Sequence, residues 1–239
     1  MTHLSYSQIS WPAFTKFLTL RNLRSLAVSF ILSTICLVAY TNSALALSPS
    51  VAKQPRSDKF YHEGNVYTMR GGLLGIFSTG MALLANTLKT EYNVHAANTV
   101  YHDASGLSSF IIKHYKTHHL QGPIILVGHS LGANEQIKVA EDLAIAHIPV
   151  SLLITVDAGL PLKVPNNVAQ VLNLYQPTID PVFKGVPLTA VDPKLTSINN
   201  LDVSTIKTIH VNHFNISQNP EIQKIMLHQI LTVLNIKEV

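Results

Sequence analysis

Residues 124–133 read Ile124-Ile125-Leu126-Val127-Gly128-His129-Ser130-Leu131-Gly132-Ala133. The apolar run 123–127 has no polar break, as a strand buried on both faces requires. After Ser130 the pattern changes: Ala133, Ile137, Ala140 and Ala144 fall on one stripe, which predicts a helix over 131–146. Between the two lies Gly128-His129-Ser130-Leu131-Gly132, a G-x-S-x-G pentapeptide. On a sharp strand-to-helix turn such a serine is held in a strained conformation with its hydroxyl exposed, and the flanking glycines remove side chains where the chain doubles back. The start of the following helix also favours developing negative charge. The plainer alternative is a serine that simply caps an ordinary helix.

Outward from this stretch the same alternation repeats. Strands are predicted at 65–69, 94–101, 123–127, 150–156, 168–175 and 206–211, and helices at 78–88, 107–115, 131–146 and 222–234. Strands alternating with helices of this length imply an α/β fold, a mostly parallel, doubly wound sheet of about six strands flanked by helices. Ligands in such sheets bind beyond the carboxyl ends of the strands. The segment 176–200, with Pro177, Pro181, Pro187 and Pro193, shows no period and reads as a long loop of the kind that forms lids or insertions.

The sequence 124–133, and "VGHSLGA" within it, resembles the nucleophile elbow of lipase-like and thioesterase-like α/β-hydrolases. The order of elements resembles that superfamily from about residue 65 to the C-terminus. The resemblance implies acyl transfer to water through an acyl-serine intermediate, with Ser130 as nucleophile. It also implies the chain order serine, acid, histidine. For the base, His213 is preferred because it falls in the loop before the closing helix; His210 is the alternative. For the acid, Asp157 ends the strand 150–156, the placement of a pancreatic-lipase-like minority of the family; Asp180, one strand later, is the alternative. The oxyanion donors expected are the backbone N–H of Leu131 and that of Gly72 or Leu73, in the turn Gly71-Gly72-Leu73-Leu74-Gly75.

The 239 residues carry 17 basic and 13 acidic side chains. Removing residues 1–46 takes away three basic residues and no acidic one, so the remainder is nearly neutral and gives no electrostatic argument for nucleic acid. Lys16, Arg21 and Arg24, the apolar run 26–40 and Ala44-Leu45-Ala46 follow the order of a signal peptide. Residues 1–46 are therefore expected to direct export to the periplasm or medium. The alternative is an uncleaved membrane anchor over 26–40. Residues 47–62 read as an arm and 63–239 as the hydrolase domain. The single cysteine, Cys36, lies in the leader.

His114 and His118 are one helical turn apart, but no glutamate completes a zinc-hydrolase motif, and no metal or other cofactor is expected. G-x-G-x-x-G and G-x-x-x-x-G-K are absent. The partner expected is a small-molecule or lipid ester. Thioesterase or peptidase chemistry on the same triad is the nearest alternative, and a non-catalytic binding protein on a hydrolase scaffold is the other; the last predicts a broken triad.

Overall fold

The computed structural model describes residues 62–72, 75–178 and 183–238. Within them the order is β1 (His62–Arg70), α1 (Thr79–Thr90), β2 (Val94–Val100), α2 (Ala104–Lys116), β3 (Ile124–His129), α3 (Leu131–Ile145), β4 (Val150–Val156), β5 (Lys163–Val164), β6 (Val168–Tyr175), β7 (Thr189–Ala190), β8 (Ser197–Asp202) and α4 (Pro220–Leu234). Six strands form one sheet in the order β2-β1-β3-β4-β6-β8, with every pair parallel. β5 and β7 pair separately. The chain steps outward from β1 to β2, returns to the far side of β1 for β3, and continues in one direction from there. The reversal between β1 and β3 opens a crevice at their carboxyl ends.

Residue alternation along β3 explains its unbroken apolarity. Ile125 and Val127 face Met81, Leu84 and Leu88 of α1 and Ile222 and Met226 of α4 in one core. Ile124 and Leu126 belong to a second core with Ile111 of α2 and Ile137, Ala140 and Leu143 of α3. Helices thus cover both faces of the sheet, and every residue of β3 is buried. Helix α4 is closed at both ends. Asn219 accepts hydrogen bonds from the N–H groups of Glu221 and Ile222, Pro220 occupies the first turn, and Asn235 ends the helix in the left-handed region at φ 54°.

Two expectations are corrected. The last strand is not 206–211 but β8, which lies inside and just beyond the segment read as a structureless loop. Residues 206–211 (Ile-Lys-Thr-Ile-His-Val) are rich in β-branched residues, yet they follow a 3₁₀ turn over Val203–Thr205 and make turn bonds, Ile206 N–H to Val203 O and Ile209 N–H to Ile206 O. Ile209 is buried, and Ile206 and Val211 pack on the α1/α4 core, so the apolar residues here reflect packing of an irregular segment. β8 reads Ser-Ile-Asn-Asn-Leu-Asp and sits at the sheet edge, where one face and one side are open and polar residues are tolerated. The segment before it is also anchored. Thr155 Oγ1 donates to Asn173 Oδ1 (2.8 Å), and Asn173 Nδ2 donates to Asn200 Oδ1 (2.8 Å) and to Val186 O (2.9 Å). Asn200 in turn accepts from Leu188 N–H and donates to Leu188 O. The register Thr155–Asn173–Asn200 across β4, β6 and β8 makes this polar ladder.

β1 begins at His62, the last residue assigned to the arm. The expected leader, the rest of the arm, Leu73 and Asp180 lie outside the described residues.

Candidate active site

The site is built where β3 meets α3. Ser130 lies between them with φ 59° and ψ −125°, a region that a residue with a side chain enters at a cost of about 1–3 kcal/mol and that surrounding structure must enforce. Here the enforcement is visible. Ser130 N–H donates to Val156 O at the end of β4 (2.9 Å), and Ser130 O accepts from Ala133 N–H (2.9 Å). A Cβ on Gly132 would lie 2.8 Å from Arg70 O, so the helix can approach the end of β1 only with glycine there. Although Ser130 occupies the N-cap position of α3, its side chain makes no capping bond. The hydroxyl points instead at His213, with Oγ 2.9 Å from Nε2.

His213 is in a turn over residues 212–215. Asn212 Oδ1 accepts from the N–H groups of Phe214 and Asn215, and Asn215 Oδ1 accepts from Asn212 N–H. Its Nδ1 lies 3.2 Å from Asp157 Oδ2. A carboxylate only accepts, so Nδ1 carries the proton, and Nε2 is left to accept from the Ser130 hydroxyl. Asp157 is fully buried at the end of β4, with φ 49°. Its second oxygen, Oδ1, accepts from Gln176 N–H (2.8 Å), at the end of β6. Gly185 crosses directly over this carboxylate; a Cβ there would also lie 2.8 Å from Tyr175 Cβ. The structure therefore brings Ser130, His213 and Asp157 into one hydrogen-bonded chain. His210 is exposed and makes no bond to Ser130.

The loop after β1 packs against the elbow. A Cβ on Gly71 would stand 2.9 Å from Ser130 Cβ and 3.3 Å from Leu131 N, and one on Gly72 would stand 3.1 Å from Leu131 Cδ1. Gly71 N–H is committed to Ser78 Oγ (3.0 Å). The loop after β1 and the start of α3, which carry Gly72 and Leu131, thus lie side by side next to Ser130. The rim is apolar and aromatic. Phe183 lies 5.2 Å from the His213 ring and 4.9 Å from Phe214, and Phe214 meets Phe77 edge-on at 5.1 Å. Leu131 is 43% exposed at this edge.

Sequence reasoning missed the role of His129. It is buried beneath the elbow, with Nδ1 2.7 Å from Ser78 Oγ and Nε2 3.0 Å from the carbonyl oxygen of His213. Burial, and secondarily the nearby His213 charge, push its pKa down to about 3, against the opposing effect of the bond to the His213 carbonyl. His129 is therefore neutral at ordinary pH. The only signal for it in the sequence was its position beside the serine. Among the described residues no cluster of three or more His, Cys, Asp or Glu side chains could hold a metal ion.

No protein-family model matches the chain, and no curated protein matches it. Solved structures do resemble it. The RedJ thioesterase of the prodiginine pathway in Streptomyces coelicolor is 13% identical, with 82% of this chain and 95% of that one covered and a TM-score of 0.41. The Pyrobaculum calidifontis esterase is 14% identical, over 74% and 77% of the chains, with a TM-score of 0.46. A cutinase-like protein from Cryptococcus sp. is 15% identical, over 74% and 97%, with a TM-score of 0.44. The fold is α/β-hydrolase-like. That statement rests on the strand order and the strand–elbow–helix unit, and the chemistry of the site rests on its own geometry.

Proposed function

We propose that this chain is a serine hydrolase of carboxylic esters. The observation that carries the reading is the hydrogen-bonded chain Ser130–His213–Asp157 on a strained elbow, with the acid wholly buried. In the first step Ser130 Oγ attacks the ester carbonyl while its proton passes to His213 Nε2. Asp157 holds the Nδ1–H tautomer and stabilises the imidazolium that forms. The oxyanion is met by the N–H groups of Leu131 and Gly72 and by the amino end of α3. Collapse expels the alcohol, which takes the proton from Nε2 and leaves an acyl-serine. Water, deprotonated by the same histidine, then releases the acid and restores the hydroxyl.

The aromatic rim of Phe77, Phe183 and Phe214 and the exposed Leu131 favour an uncharged, apolar acyl or alcohol group, which supports a lipid or acyl ester as substrate. Export with cleavage after Ala46 belongs to the same reading and rests on residues 16–46 alone.

The test is hydrolysis of p-nitrophenyl esters of increasing chain length. Ser130→Ala and His213→Ala should each reduce kcat by about 10⁴- to 10⁶-fold, and the double variant should lose little more than either, because the residues act as a unit. Losses that multiply, or retained activity in Ser130→Ala, would contradict the mechanism.

A further inference from the structure

We infer that His129 and Ser78 form a positioning pair, which holds the loop after β1 and the loop bearing His213 in one frame around Ser130. The inference rests on the hydrolase reading and concerns residues that the catalytic chain does not use.

Each bond in the pair has a determined direction. Ser78 Oγ accepts from Gly71 N–H at 3.0 Å, so its own hydrogen is free to donate to His129 Nδ1 at 2.7 Å. With Nδ1 accepting, the ring proton sits on Nε2, which donates to the main-chain carbonyl of His213 at 3.0 Å. The two outer partners are the points that matter to chemistry. One is the backbone of Gly71, next to the proposed oxyanion donor Gly72. The other is the backbone of the proposed base itself. Between them, Ser78 and His129 are both buried, so water does not compete for these bonds.

Two features argue for more than space filling. Ser78 stands at the N-cap of α1, where a serine normally bonds to the helix's own N–H groups, yet it makes no capping bond. Forgoing that cap sacrifices about 1 kcal/mol of helix stability. The His129 ring also lies 5.1 Å from the His213 ring, at an interplanar angle of 37°, so any shift of one ring is felt by the other. A buried imidazole with both nitrogens committed fixes distances that an apolar side chain of equal size would leave loose. His129 and Ser78 are assigned as positioning residues; neither is placed against substrate.

The experiment compares Ser78→Ala, His129→Phe and His129→Gln in the full chain. It measures kcat and KM on one p-nitrophenyl ester, thermal melting, and fluorophosphonate labelling of the unsubstituted protein. Ser78→Ala and His129→Phe should lower kcat by about 10- to 100-fold with KM within about threefold. The combination should lose little more than His129→Phe alone. His129→Gln, whose amide can accept from Ser78 and donate to the His213 carbonyl, should stay within about fivefold of the unsubstituted protein. Folded Ser78→Ala and His129→Phe proteins with unchanged kcat overturn the inference. So does a glutamine variant as impaired as the phenylalanine one. Should His129→Phe fail to fold, Ser78→Ala and His129→Gln decide the matter in the same way. If the unsubstituted protein neither labels nor hydrolyses esters, the hydrolase reading falls and takes this inference with it. If it does both and the variants match it, only this inference falls.

Discussion

At the residue scale the molecule gives up stability to keep His129 buried and neutral. His129 has its pKa lowered from about 6.5 to about 3 by burial. The unfolded chain therefore binds a proton that the folded chain refuses as pH falls below about 6.5. Stability should decline from there toward pH 3, at up to about 1.4 kcal/mol per pH unit from this group. Urea unfolding at pH 7 and pH 5 checks this, and the extra acid sensitivity should vanish in His129→Gln. Asp157 plays the opposite part, since its full burial is tolerated through bonds to His213 and to Gln176 N–H. Asp157→Asn should reduce kcat by about 10³- to 10⁴-fold, less than Ser130→Ala, because the nucleophile and oxyanion donors remain. Steady-state kinetics on one ester distinguishes the two. Ser130, Asp157 and His213 could be named as candidates from the G-x-S-x-G turn, the end of an apolar strand and the chain order that the resemblance implies, with His210 and Asp180 as the alternatives. His129 and Ser78 could not, because their pairing spans 51 residues and no local pattern encodes it.

At the scale of elements, β3 was legible because a strand buried on both faces is apolar throughout, and β4 and β6 because they are mostly apolar despite Ser151 and Thr155 in one and Gln170 and Asn173 in the other. β8 was not, because an edge strand can be stabilised by polar side chains directed across the sheet. Its Asn200 is the terminus of the Thr155–Asn173–Asn200 ladder and also ties down Leu188. Hydrogen bonds between residues 12 to 27 positions apart leave no periodic trace, whereas the β-branched residues at 206–211 imitated a strand. Asn200→Ala should leave the Asn173 amide and the Leu188 backbone groups short of partners and destabilise the fold by about 1–3 kcal/mol. Chemical denaturation reads that loss. The same change should also loosen residues 183–188, where Gly185 covers Asp157.

At the scale of the whole molecule, parallel strands explain how residues 27 positions apart along the chain come to one place. β3 and β4 are parallel neighbours, so Ser130 and Asp157 leave the sheet at the same edge, and the turn carrying His213 closes over them. The convergence of Ser130 and Asp157 was predictable from the alternation of strands and helices; that of His213 was expected from a strand at 206–211 that does not form, and the apolar rim was not legible, because Phe77, Phe183 and Phe214 come from three separate loops. The central claim is that Ser130 is a nucleophile activated by this arrangement. Fluorophosphonate labelling followed by peptide mass mapping tests it most directly. The account predicts one adduct per chain, on the peptide containing Ser130, lost in Ser130→Ala and strongly slowed in His213→Ala. An adduct on another residue, or undiminished labelling of the alanine variant, would contradict it.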